Sequence, residues 1–169
     1  MKDQVPIKRH QAVVSFSKDH HFGLLLVWKI RQGLEKAVKA ERISKYVVYF
    51  FKEDLEKHFK DEEQLLFCKL PVDDALRKRA EEEHYSIYNL VEGIDENKND
   101  TNLLKQLANV LEKHIRFEER ELFNHLQKNI ATEDLELIEK RFPNNSKTID
   151  EVWEDIFWEI KRLDNGYSG

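Results

Sequence analysis

Two stretches of the chain repeat each other 56 residues apart, and both carry side chains able to bind a metal. The first is Leu55-x-x-His58-x-x-x-Glu62-Glu63-x-x-Leu66-Phe67. The second is Leu111-x-x-His114-x-x-x-Glu118-Glu119-x-x-Leu122-Phe123. On a helix, residues four apart share a face, with Cβ atoms roughly 6 Å apart. His58 and Glu62 therefore point one way, and so do His114 and Glu118. Leucines flank each pair along its helix, which turns both pairs inward. A buried carboxylate is costly unless something compensates it. Two cations would compensate both glutamates together, because a carboxylate can bridge two ions while each neutral imidazole binds one of them.

Two more helices must then supply the remaining ligands. One offers His20 and His21, just before an apolar stretch; another offers His84. The stripe through Phe16, Leu24 and Val27 selects His20, while the spacing of Leu24, Leu25 and Trp28 gives His21 a claim. A single His-Glu pair would read as an ordinary solvated contact. Two copies in matching apolar frames, with histidines on both other helices, favour a metal.

The elements that must hold these side chains are legible as four long amphipathic helices. The first spans about Gln11 to Lys39, with Val13, Phe16, His20, Leu24, Val27 and Leu34 on one stripe. The second spans about Ile43 to Phe67 and stops at Pro71. The third runs from about Asp74 to Glu96, with N-caps on offer in Val72-Asp73-Asp74. The fourth runs to about Lys128, with Thr101 or Asn102 as its cap. Short connections imply an all-α, antiparallel up-down-up-down four-helix bundle over about residues 11–130. From Ala131 a helical tail follows: a short helix, a loop at Pro143-Asn144-Asn145, and a last helix with Val152, Trp153, Ile156, Phe157 and Ile160 on one side. Nothing marks a second domain, so residues 1–169 are expected to form one.

Composition agrees. Five Gly and three Pro in 169 residues suit long helices better than sheets. The net charge is −5 with both signs interspersed, which excludes a nucleic-acid partner. The longest apolar runs, Leu24 to Trp28 and Val47 to Phe51, are too short to cross a bilayer. The single Cys68 can form no internal disulfide, and the charged start has no apolar core of leader length. A cytoplasmic protein is expected.

The pattern resembles the hemerythrin family, and its broad HHE cation-binding branch more than the oxygen carriers. The matching pieces are Asp19-His20-His21, His58-Phe59-Lys60-Asp61-Glu62-Glu63, His84, and His114-Ile115-Arg116-Phe117-Glu118-Glu119. The resemblance implies a non-haem centre of two iron ions, with His58, Glu62, His84, His114 and Glu118 as ligands together with a first-helix histidine. Zinc or manganese would suit the same donors. The third helix departs from the oxygen carriers, which bear a histidine pair four apart there; here Ala80 and Tyr88 stand at those steps. Glu81, Tyr88 or water could fill the gap. The expected role is to bind or sense oxygen, nitric oxide or iron, with a redox activity left open. The alternative is a metal-stabilised interaction module whose last helix docks a partner. Glu63 and Glu119 are expected beside the metal face or at the surface, His10 and His125 at the surface, and Tyr88 and Cys68 packed inside. The stripe of Trp153, Phe157 and Ile160 reads as core or, failing that, as a homodimer surface.

Overall fold

The structure is a computed structural model that describes residues 8–141 and 152–159. Among the described residues every regular element is helical. Helix α1 is Gln11–Glu35 and α2 is Ala40–Phe50. A π turn at Phe51–Leu55, α3 at Glu56–Asp61, a second π turn at Glu62–Leu66 and a 3-10 turn at Phe67–Lys69 continue α2 without a break. Next come α4, Ala75–Glu96, and α5, Thr101–Phe117. A third π turn, Glu118–Leu122, leads from α5 into α6, Phe123–Asn129, before α7, Thr132–Arg141.

The caps follow from local chemistry. The Asp74 carboxylate accepts from the N–H groups of Leu76 and Arg77, both at 3.0 Å. Asp100, not Thr101 or Asn102, caps α5: it accepts from Asn102 at 2.9 Å and Leu103 at 3.2 Å. An aspartate one residue upstream reaches the free N–H groups without giving up a helical position. His10 does the same for α1, its Nδ1 accepting from the Ala12 N–H at 3.1 Å.

Helix α1 packs on α5, α5 on α4, α4 on α2, and α2 on α1, which closes a ring of four. The interior holds two apolar clusters. One takes Leu26 to Ile30 of α1, Ile43 to Phe59, Ile87 to Ile94 of α4, and Leu104 to Ile115 of α5. The other takes Ala12 to Phe16, Leu66 to Leu70, Ala80, and Phe117 to Leu126, with Leu135 and Ile138 of α7. Along every helix of the ring a buried His or Glu separates the two clusters: His20, His58 with Glu62, His84, and His114 with Glu118.

The tail departs from expectation. Residues 153–156 are not helical, and Phe157–Glu159 makes a 3-10 turn. Val152 and Ile156 are exposed, whereas Phe157 and Trp158 are buried in the first cluster. A helical stripe would have buried Ile156 and released Trp158; the extended stretch inverts that. The segment is pinned instead by Lys29, whose Nζ lies 4.0 Å from the Trp158 ring centroid, and by the two-pronged Arg42–Asp155 pair. The expected loop at Pro143 and the position of Ile160 lie outside the described residues. Cys68 is exposed rather than packed.

Helix α1 ends on Ala37, a non-glycine residue at φ 54°. The Val38 N–H closes that end on the Gly33 carbonyl at 2.9 Å. A left-handed Cβ clashes with its own carbonyl, at a cost of roughly 1–2 kcal/mol. Ala37→Gly is expected to raise unfolding free energy by about 1 kcal/mol. Urea denaturation checks this; an unchanged or lower midpoint would contradict it.

Candidate metal centre

The site begins with a problem of helix periodicity. His114, Glu118, Leu122 and Leu126 stand four apart and are all buried. At 3.6 residues per turn each step of four overshoots a full turn by about 40°, so a regular helix would rotate this column out of the core. The π turn at Glu118–Leu122 widens the helix there and holds the column inward. The π turn at Glu62–Leu66 does the same for His58, Glu62 and Leu66. Both begin on the glutamate of the repeated motif, and single π turns occur often at functional sites.

The result is two overlapping ligand sets. His20, His58, Glu62 and Glu118 bring one ligand atom each within 4.8 Å of the others, and so do Glu62, His84, His114 and Glu118. The two glutamates belong to both sets. Each histidine turns Nε2 toward them: His20 reaches Glu118 at 3.0 Å, His58 reaches Glu62 at 3.1 Å, His84 reaches Glu62 at 3.4 Å, and His114 reaches Glu118 at 2.5 Å. Yet Nε2 of His58, His84 and His114 and all four oxygens of the two glutamates have no partner of hydrogen-bond geometry. Seven such atoms in one place, fully out of water, is a large deficit for a folded chain. Imidazole nitrogens and carboxylate oxygens aimed at shared points are the donors that iron, zinc or manganese takes, and the residues present fit such ions.

The other ring nitrogen of every histidine is held. Nδ1 of His58 donates to Asp19 at 3.0 Å, His84 to Glu63 at 2.8 Å, His114 to Glu83 at 2.9 Å, and His20 to Glu119 at 2.7 Å. Each bond crosses to a neighbouring helical stretch, so the four form a closed circuit around the ring of helices. Each fixes a tautomer that leaves Nε2 free as a donor to metal. Phenyl rings fix the imidazole planes: His84 stacks on Phe59 at 4.0 Å and His20 on Phe123 at 5.2 Å, centroid to centroid.

Glu63 and Glu119 thus act directly behind the site. Asp19 and Glu83 carry the same role, and the sequence reading gave them none. A signal was available: each of the four acids sits next to an inward-facing residue, in Asp19-His20, Glu62-Glu63, Glu83-His84 and Glu118-Glu119. His21 joins neither set; it is exposed and lies edge-on to Phe22. The one-residue step from His20 turns it out to solvent. Glu81 is taken by Arg77. Tyr88 packs edge-on against Phe51 and Phe59, and burial, with Glu63 and Glu56, pushes its hydroxyl up to about 12, so it stays a neutral phenol. Ala80, one turn before His84, is fully buried. His10 serves as a cap, and His125 is half-buried against Asp74 at 2.7 Å.

Burial depresses the affinity of His20 for protons, but Glu118, Glu119 and Glu62 outweigh it and lift the ring to about 9. His58 and His84 are driven well above the ordinary value, and His114 above it, by the same balance of burial against carboxylates. Glu118 is held well below its ordinary range, because His114, Glu62 and His20 overcome its burial.

The sequence model of the hemerythrin HHE cation-binding domain matches residues 16–126, which include both ligand sets and all four supporting acids. No curated protein and no solved structure shows a significant match to the chain.

In the metal-free protein, protons on these rings do the work of cations. A histidine whose folded value is raised stabilises the fold fully below its unfolded value of about 6.5, and that contribution disappears as pH rises through the folded value. For His20 the window closes near pH 9. The melting temperature of chelated protein is therefore expected to fall between pH 6.5 and 9, measured by circular dichroism. A flat or rising melting temperature over that interval would contradict the protonated cluster.

Proposed function

The chain belongs to the hemerythrin HHE cation-binding family, and on that premise we propose that it is a non-haem di-iron protein that binds or senses oxygen or nitric oxide. The observation that carries this reading is the sharing of Glu62 and Glu118 between two ligand sets. His20 and His58 would hold one ion, His84 and His114 the other, and the two glutamates would bridge them. Bound iron supplies an electrophilic, redox-active centre with positions open to a small diatomic ligand.

Asp19, Glu63, Glu83 and Glu119 orient the four rings and keep Nε2 unprotonated toward the ions. The apolar clusters on either side exclude bulk water from the glutamates. Ala80, packed in the second cluster, stands where the oxygen carriers place a further histidine, so the chain offers one ligand fewer there, which favours sensing or turnover over reversible carriage. Zinc or manganese would fit the same donors without that reactivity.

The fold that serves this site is an antiparallel up-down-up-down four-helix bundle within a single domain. Its support is the alternation of the clusters: α1 and α4 begin in the one that α2–α3 and α5–α6 end in. No helix among the described residues is long and apolar enough to cross a membrane, and a cytoplasmic location fits the single exposed cysteine. The alternative, a docking module worked by the tail, draws little support, since Phe157 and Trp158 are spent on the core. A homodimer would have to use another face.

The test is the visible spectrum of iron-loaded, reduced protein before and after exposure to nitric oxide and then oxygen. New absorption bands on addition of either gas are expected. A protein that stays colourless and unchanged after iron loading would overturn the reading.

A further inference from the structure

The chain carries a net charge of −5, yet four cationic side chains gather around one groove on the outside of α4 and α5. Lys113, Arg116 and Arg120 follow one another at helical spacing on one face, and Arg79 faces them from α4. The groove has a volume of about 280 Å³, and Phe117 is the apolar residue in its lining. Only one acid, Glu121, joins the lining. Arg79 lies over the Phe117 ring, 3.8 Å from its centroid. The side chains of Lys113 and Arg120 make no ion pair or hydrogen bond among the described residues, and Arg116 reaches Glu112 only at 3.6 Å. Four cations around one groove, two of them without a side-chain partner among the described residues, match a multiply charged oxyanion, which guanidinium groups grip in bidentate fashion. The volume, just below that of drug-sized sites, suits a small one.

The groove is also wired to the metal centre. Arg79 donates from Nε to Glu83 at 3.2 Å and from Nη1 to Glu121 at 3.3 Å. Glu83 in turn accepts from Nδ1 of His114 at 2.9 Å. An anion that displaces Glu121 from Nη1 shares the guanidinium charge, and Glu83 becomes the stronger acceptor for the His114 ring. A stronger acceptor there raises the donor strength of Nε2 toward a cation.

We propose that the groove lined by Arg79, Lys113, Arg116 and Arg120 binds a small oxyanion of the phosphate class and strengthens metal retention through Arg79, Glu83 and His114. The binding site stands without the metal; its link to retention rests on the di-iron reading above.

The test titrates inorganic phosphate into the full chain, metal-free and at fixed ionic strength, by calorimetry. Saturable binding of one phosphate is expected, weakened at least tenfold in Arg120→Ala and unchanged in Lys60→Ala, which removes an exposed charge elsewhere. No heat, or equal binding by Arg120→Ala, would overturn the site. Glycerol phosphate separates the sources: tighter binding assigns the groove to phosphorylated small molecules, weaker binding to the free ion, and both uphold it. For the link, iron release to a chelator is timed with and without phosphate. At least twofold slower release is expected in the parent and no effect in Arg120→Ala, which controls for phosphate acting on iron directly. Phosphate that binds but leaves the rate unchanged would refute the link. A chain that binds phosphate but takes up no iron would sink the di-iron reading and leave the groove intact.

Discussion

Two carboxylates with no exposure to water, Glu62 and Glu118, sit between two apolar clusters, and the rest of the structure is arranged around that fact. Neither could remain charged there alone, since an uncompensated buried carboxylate costs more than a domain of this size can absorb. Four imidazoles converge on them, and the donor set asks for cations. The two apolar clusters exist as two because this polar layer divides them. The π turns at Glu62–Leu66 and Glu118–Leu122 exist because a regular helix would rotate the glutamates or the leucines behind them away from the layer.

The layer is held from outside as firmly as from inside. Asp19, Glu63, Glu83 and Glu119 each reach across to a neighbouring helical stretch, so moving any one helix disturbs two histidines. Two of these acids are braced in turn, Glu119 by Arg9 at 2.9 Å and Glu83 by Arg79. Loss of a group that orients a ligand ring typically costs about 10–100-fold in metal affinity. The same circuit gives events at the protein surface a short path to the histidines of the site, through one arginine and one carboxylate.

Much of this was legible in the sequence. The repeat around His58 and His114 placed the two glutamates inward because leucines flanked them at helical spacing, and His20 followed from the stripe through Phe16 and Val27. The π turns were not legible: the side-chain pattern of a four-residue column does not say whether the backbone widens to keep it in register. Asp19 and Glu83 were missed because a carboxylate beside an inward residue looks like a solvated helix position until a neighbouring helix brings a histidine to it. The last segment was misread because its apolar residues, Val152 to Phe157, have helical spacing, while Lys29, Tyr46 and Arg42 offer an extended chain better anchors.

If two ions share Glu62 and Glu118, as proposed, neither half of the site would survive the loss of either glutamate. Iron content per folded chain, measured by elemental analysis on the parent, Glu62→Gln and Glu118→Gln after iron-replete expression, tests it directly. The account predicts two irons in the parent and essentially none in either variant, with the helical fold retained. One iron per chain in the parent, or one iron kept in either variant, would contradict the shared bridge.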